Sequence, residues 1–88
     1  MKLLDKIMRL FGYENIENIH IYRNYKEHPP RKVKMAERTL LFKETGKLKV
    51  PIVINLNWLL GNWYLVDGYT SYLIAKENNI KYVKVVRV

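Results

Sequence analysis

One short run gathers the side chains best suited to chemistry: Asp67-Gly68-Tyr69-Thr70-Ser71, inside the stretch Leu65–Lys76. A strand end, a glycine turn and a helix start, in that order, can hold an anion. The N–H groups of a helix's first turn have no partner within the helix and carry a partial positive charge. Gly68 lets the backbone approach a ligand with no Cβ in the way. Thr70 and Ser71 add hydroxyls at the same place. Many strand-to-helix turns contain glycine and bind nothing, so the pattern by itself leaves a ligand site and a plain turn both open.

Asp67 is the one acid beside this turn. It reads either as an Asx turn or cap at the helix start or as a carboxylate placed for Mg²⁺ beside phosphates. No second acid lies near enough in sequence for an acid–base pair. Thr70 and Ser71 have no activating histidine, so no nucleophile–base set is evident and no catalytic residue is assigned. His20 and His28 lack metal-ligand spacing and read as surface residues; no metal site is expected. Trp58, Trp63 and the seven tyrosines can stack on bases or serve as packing. Trp63 reads as core, and Trp58-Leu59-Leu60 as an exposed contact patch. Tyr22 and Tyr25 interleave with Arg23 and Lys26, a mix that suits single-stranded nucleic acid and many ordinary surfaces alike.

Charge is distributed unevenly. Sixteen Lys and Arg face eight Asp and Glu, a net of +8, and nine of the cations against three acids lie between Arg23 and Lys49. Such a field attracts polyanions: nucleic acid, nucleotide phosphates or an acidic protein. The chain has no cysteine, which excludes disulfides, thiolate chemistry and cysteine-ligated metals. Eighty-eight residues, 49% of them apolar, suffice for one folded core. The apolar runs are too short for a transmembrane segment and no signal peptide is evident, which predicts a cytoplasmic location.

The elements that must position these residues follow from pattern. Met1 to Phe11 reads as an amphipathic helix with Leu3, Leu4, Ile7, Met8, Leu10 and Phe11 on one side, stopped by Gly12. Packing on the domain's own core is the first expectation for it; self-association and a membrane surface are the others. Residues 18–22 read as an edge strand and 25–30 as a loop halted by two prolines. Arg31 to Thr45 predicts the first core helix, with Pro30 in its first turn, Met35, Leu41 and Phe42 inward, and Arg31, Lys34 and Arg38 as a basic stripe. Gly46 ends it. Strands follow at 50–56 and 63–66, joined through Gly61-Asn62. A helix over 69–78 ends at Asn78-Asn79, and a valine-rich strand spans 82–88. The connection from strand 63–66 through the helix to the last strand is long enough for a right-handed parallel unit. Residues 1–14 are thus an N-terminal helix and 15–88 the rest of a single domain.

With this order of elements, Glu44-Thr45-Gly46-Lys47-Leu48-Lys49-Val50-Pro51-Ile52-Val53-Ile54-Asn55 followed by Leu65-Val66-Asp67-Gly68-Tyr69-Thr70-Ser71-Tyr72-Leu73-Ile74-Ala75-Lys76-Glu77 resembles the ParB/sulfiredoxin family over about residues 16–88. The resemblance implies an α+β fold, a small mixed sheet with helices. It also implies a turn, equivalent to Gly68–Tyr72, that holds nucleotide phosphates: CTP in ParB proteins, ATP in sulfiredoxins. Two departures bear on function. ParB proteins read Gly-Glu-Arg-Arg at this turn, whereas here it is Gly68-Tyr69-Thr70-Ser71, without the bidentate phosphate contacts of two arginines. Sulfiredoxins carry a catalytic cysteine where Tyr69 stands, and a phenol cannot do that thiolate chemistry.

The preferred expectation is a stand-alone binding module. Asp67, Gly68, Tyr69, Thr70 and Ser71 would face phosphate, with Arg31, Lys32, Lys34 and Arg38 adding positive charge. The partner is then a nucleotide or nucleic acid, the only cofactor implied is a nucleoside triphosphate with Mg²⁺, and catalysis is not needed, although residual nucleotide hydrolysis stays open. The alternative is a small regulatory or inhibitory interaction protein that has lost the nucleotide site and binds a protein partner, an acidic one included. Oligomeric state is not legible in the sequence.

Overall fold

Isoleucine and valine recur at every second position of two segments, and those segments form the middle of a sheet. The computed structural model describes residues 2–88; Met1, the first residue of the expected N-terminal helix, lies outside the described residues. In chain order come α1 (Leu3–Leu10), β1 (Tyr13–Asn15), a 3₁₀ turn (Ile16–Asn18), β2 (Ile19–His20), α2 (Arg23–Glu27) and α3 (Lys32–Thr45). Then follow β3 (Ile52–Asn57), β4 (Asn62–Asp67), α4 (Tyr69–Glu77) and β5 (Tyr82–Arg87). The five strands form one sheet in the order β1-β5-β3-β4-β2. Ile52 and Ile54 of β3, and Val83 and Val85 of β5, are buried on one face, as a period of two requires. Leu65, Ile16, Ile19, and Tyr72 and Ala75 of α4 complete the core.

The sheet is mixed. β3 and β4 form an antiparallel hairpin, β5 runs parallel to β3, β1 runs antiparallel to β5, and β2 runs parallel to β4. The expected parallel unit between the strand before α4 and the last strand is therefore corrected. β3 lies between them, and β4 and β5 run in opposite directions. The sheet must also curl. Its edge strands β1 and β2 are separated in sequence only by Ile16–Asn18, a link that reaches at most ~14 Å. Five strands laid flat would set their edges ~19 Å apart.

Three helices differ from expectation. α3 begins at Lys32 and ends at Thr45; the next residue, Gly46, closes it with a φ of 72° and an N–H bond to the Phe42 carbonyl at 2.7 Å. It is not a core helix: none of its residues is buried, because it packs against α4 and does not lie on the sheet. Pro30 precedes its cap and does not sit in its first turn. α2 replaces the first part of the expected 25–30 loop; an Arg23–Glu27 pair at 2.8 Å and i,i+4 spacing supports its single turn.

α1 carries the largest correction. Its apolar face does not pack on the core; Leu3, Leu4, Ile7, Leu10 and Phe11 are all exposed. The polar side faces inward instead. Asp5 is buried and accepts a hydrogen bond from the Tyr82 hydroxyl at 2.5 Å. Arg9 donates to Glu14 at 3.0 Å, and Glu14, fully buried in β1, also has Arg87 within 3.5 Å. β1 spans the 14/15 boundary between the expected N-terminal helix and the rest, so α1 enters the fold through this strand.

Candidate phosphate site

Gly68 sits where β4 must turn into α4. It adopts φ 85°, and a Cβ there would overlap the Pro51 carbonyl oxygen and press on the Ile52 backbone. Close approach to β3 is thus a reason for glycine at this position, independent of any ligand. Asp67 accepts the Gly68 N–H at 2.8 Å, so its carboxylate braces the turn. No side chain caps α4, whose first backbone bond runs from Tyr72 N–H to the Gly68 carbonyl at 3.0 Å. The amides of Tyr69, Thr70 and Ser71 therefore precede the helix's own hydrogen-bond ladder and form the positive end of α4.

A cavity of about 230 Å³ opens beside this end, lined by Asp67, Gly68, Tyr69 and Thr70 and, from across the gap, by Lys34 and Arg38 of α3. These two cations are four residues apart and share one helix face. Tyr25, His28, Pro30 and Val50 complete the wall. Two cations against one carboxylate, together with a helix N-terminus, make the lining electropositive at neutral pH.

Three expected site residues stand elsewhere. The Ser71 side chain is buried and its hydroxyl donates to the Val50 carbonyl at 2.6 Å, which locks α4 to the approach of β3. Arg31 does not line the cavity: its ψ of 146° is extended, so the helical spacing that would align it with Lys34 does not reach it. Lys32 is two residues from Lys34, turns to the other side of α3, and borders a separate groove with Met35, Thr39 and Leu40.

Sequence reasoning named Tyr25 as an aromatic beside basic residues and His28 as a surface residue, but placed neither at this cavity. α2 brings both to the cavity. The Tyr25 hydroxyl donates to the Val66 carbonyl at 2.7 Å and its ring lies 5.2 Å from that of Tyr69. His28 Nδ1 lies 2.9 Å from the Asn24 carbonyl. The Arg23–Glu27 spacing was the signal for this turn of helix. Among the other aromatics, Tyr22 stacks on Tyr64 at 4.4 Å. Trp63 is half-buried with the Arg87 guanidinium 5.2 Å from its ring, so it lies at the border of the core. His20 is exposed beside Tyr64. Among the described residues no group of three or more His, Asp or Glu side chains could hold a metal ion.

No family model matches this chain, and no curated protein does. Solved structures do. A C-terminally truncated chromosome-partitioning protein ParB from Caulobacter crescentus, complexed with CTP-gamma-S, is 18% identical, with a TM-score of 0.67 over 86% of this chain. A Pnob8-like ParB-N domain is 23% identical, with a TM-score of 0.66 over 85% of it. Sulfiredoxin from Arabidopsis thaliana is 17% identical, with a TM-score of 0.66 over 84% of it. The chain spans 42% and 28% of the two ParB chains and 79% of the sulfiredoxin.

Proposed function

This chain has the ParB/sulfiredoxin-like fold, and from that premise we propose that it binds the phosphates of a nucleoside triphosphate in the cavity between α4 and α3. One observation carries the reading: the uncapped start of α4 and the Lys34–Arg38 pair line the same cavity. Amides at a helix N-terminus and two cations are what a polyphosphate requires. The similar ParB structure with CTP-gamma-S supports nucleotide as the ligand class. In this reading Tyr69 and Thr70 amides meet phosphate oxygens, and Lys34 and Arg38 supply the charge that the turn itself lacks. Mg²⁺ fits the same donor set, since only one Asp67 oxygen is engaged by Gly68. Ser71 contributes by holding α4 in place.

Calorimetry with CTP, ATP, GTP and UTP, with and without Mg²⁺, tests this. Losing a hydrogen bond to a charged group costs ~1.5–3 kcal/mol, so Lys34→Gln with Arg38→Gln should weaken binding at least ~100-fold. Lys32→Gln should leave it nearly unchanged. No heat with any nucleotide at low salt, or binding indifferent to the double variant, would refute the assignment. A nucleic-acid backbone is the second reading, favoured by Arg31 and Lys32, which are exposed outside the cavity. It calls for a steep loss of affinity for short DNA or RNA as salt rises, to which Arg31→Gln and Lys32→Gln also contribute.

A further inference from the structure

The amphipathic pattern of α1 is turned inside out, and that inversion calls for a partner. Leu3, Ile7 and Leu10 align at helical spacing, with Leu4 and Phe11 beside them. All five are exposed, Leu10 by 84% and Leu3 by 73%. Apart from Met8, the rest of the helix is charged. Its one acid, Asp5, is withdrawn into the fold on Tyr82, and Arg9 is drawn toward Glu14. The exposed charges of α1 and its N-cap are Lys2 and Lys6, both cations; beside them, the exposed Glu17 borders the same recess as Lys2, Lys76 and Lys81, which leaves the surroundings of the helix net positive. Separately, the β3–β4 hairpin tip exposes Trp58, by 79%, with Leu59 and Leu60.

The charge decides what covers this face. A second copy of the chain would bring +8 against +8, with lysines flanking both apolar surfaces. A surface of anionic headgroups over an acyl layer complements both parts at once: cations to phosphates, Leu and Phe to hydrocarbon. No described helix is long and apolar enough to cross a membrane, so the contact is peripheral. We propose that α1 lies in the interface of an anionic lipid bilayer, with Leu3, Leu4, Ile7, Leu10 and Phe11 in the acyl boundary and Lys2 and Lys6 at the headgroups. This surface is independent of the cavity between α4 and α3 and shares no residue with it.

Co-sedimentation of the full chain with vesicles tests the proposal. One set is phosphatidylcholine alone and the other is phosphatidylcholine with phosphatidylglycerol. The protein should partition onto the anionic vesicles and only weakly onto the neutral ones. Leu3→Ser with Leu10→Ser keeps the net charge and, since these side chains are 73% and 84% exposed, the melting temperature; it should lower partitioning by at least ~10-fold per residue. Lys2→Gln with Lys6→Gln should lower it ~5-fold per charge. Three results would overturn the proposal. One is no partitioning. Another is partitioning onto anionic vesicles that the serine variant retains, which would assign it to the basic residues elsewhere. The third is a dimer in analytical ultracentrifugation that the serine variant splits, which would make a second copy the occupant.

Discussion

Replacing Gly68 by alanine separates two costs that the structure stacks at one position. The first is conformational: φ 85° is left-handed, and a residue with a Cβ pays ~1–2 kcal/mol there. The second is steric. The added methyl overlaps the Pro51 carbonyl and presses on Ile52. Both are backbone next to a strand whose Ile52 and Ile54 are core, so relief requires moving β3 or α4, at ~1–3 kcal/mol. The sum, ~2–5 kcal/mol, compares with a total stability of ~4–13 kcal/mol for a domain this long. It corresponds to a fall in Tm of ~8–40 °C. Gly46 provides the control. It has φ 72° and open space around the position of a Cβ, so Gly46→Ala carries only the first cost and should lower Tm by ~4–16 °C. Thermal melts followed by circular dichroism measure both. Two variants melting within ~4 °C of each other would refute the view that Gly68 is fixed by its contact with β3.

Three further outcomes follow from polar groups inside the fold. Glu14→Gln leaves Arg9 and Arg87 without their buried counter-charge. Because those side chains keep 29% and 26% of their exposure, the loss in a urea melt should be ~2–4 kcal/mol, at or below the range for fully buried pairs. Ser71→Ala removes the donor to the Val50 carbonyl and should cost ~1 kcal/mol in the same assay, while nucleotide affinity changes far less than with Lys34 and Arg38 removed. The Asp5–Tyr82 bond sets a pH window. The Tyr82 hydroxyl holds the Asp5 carboxyl below its ordinary range, so that stabilisation is complete above ~3.9 and is lost as pH falls through the lower folded value. The Asp5 hydrogen bond pushes Tyr82 up to about 12, so its stabilisation is complete below the ordinary tyrosine value of 10.0 and is lost as pH rises toward about 12. Denaturation midpoints of Tyr82→Phe against pH should show both limbs flattened.

Local chemistry made much of the fold legible. Gly46, Gly61 and Asn79 each take the positive φ that their turns require, and prolines and valines marked where β3 and β5 begin and run. The strand, glycine and helix sequence around Gly68 located the turn. What was not legible came from tertiary pairing. β1 is three residues long, too short for a periodic pattern, and exists because β5 offers it an edge. The position of β5 beside β3 depends on pairing between segments far apart in the chain. At the candidate site, spacing alone put Arg31, Lys34 and Arg38 on one stripe, but helical spacing applies only where the backbone is helical, and Arg31 is not. Ser71 looked available because its hydroxyl was visible in sequence and its acceptor, the carbonyl of Val50, was not. α1 misled for a related reason. An apolar stripe says that a helix has a partner, not that the partner is its own domain.

The curl of the sheet has a consequence for how other molecules can engage this protein. β1 and β2 end the sheet on either side, yet the 3₁₀ turn ties them together, and β1 and β2 are only three and two residues long. Neither border offers a long row of open amides and carbonyls for a foreign strand to extend. Strand donation and edge-to-edge fibre growth are therefore poor routes onto this molecule. Recognition is left to its helix ends and to the α1 and hairpin projections, and a partner that acts through a β-strand would first have to pry the curled sheet apart.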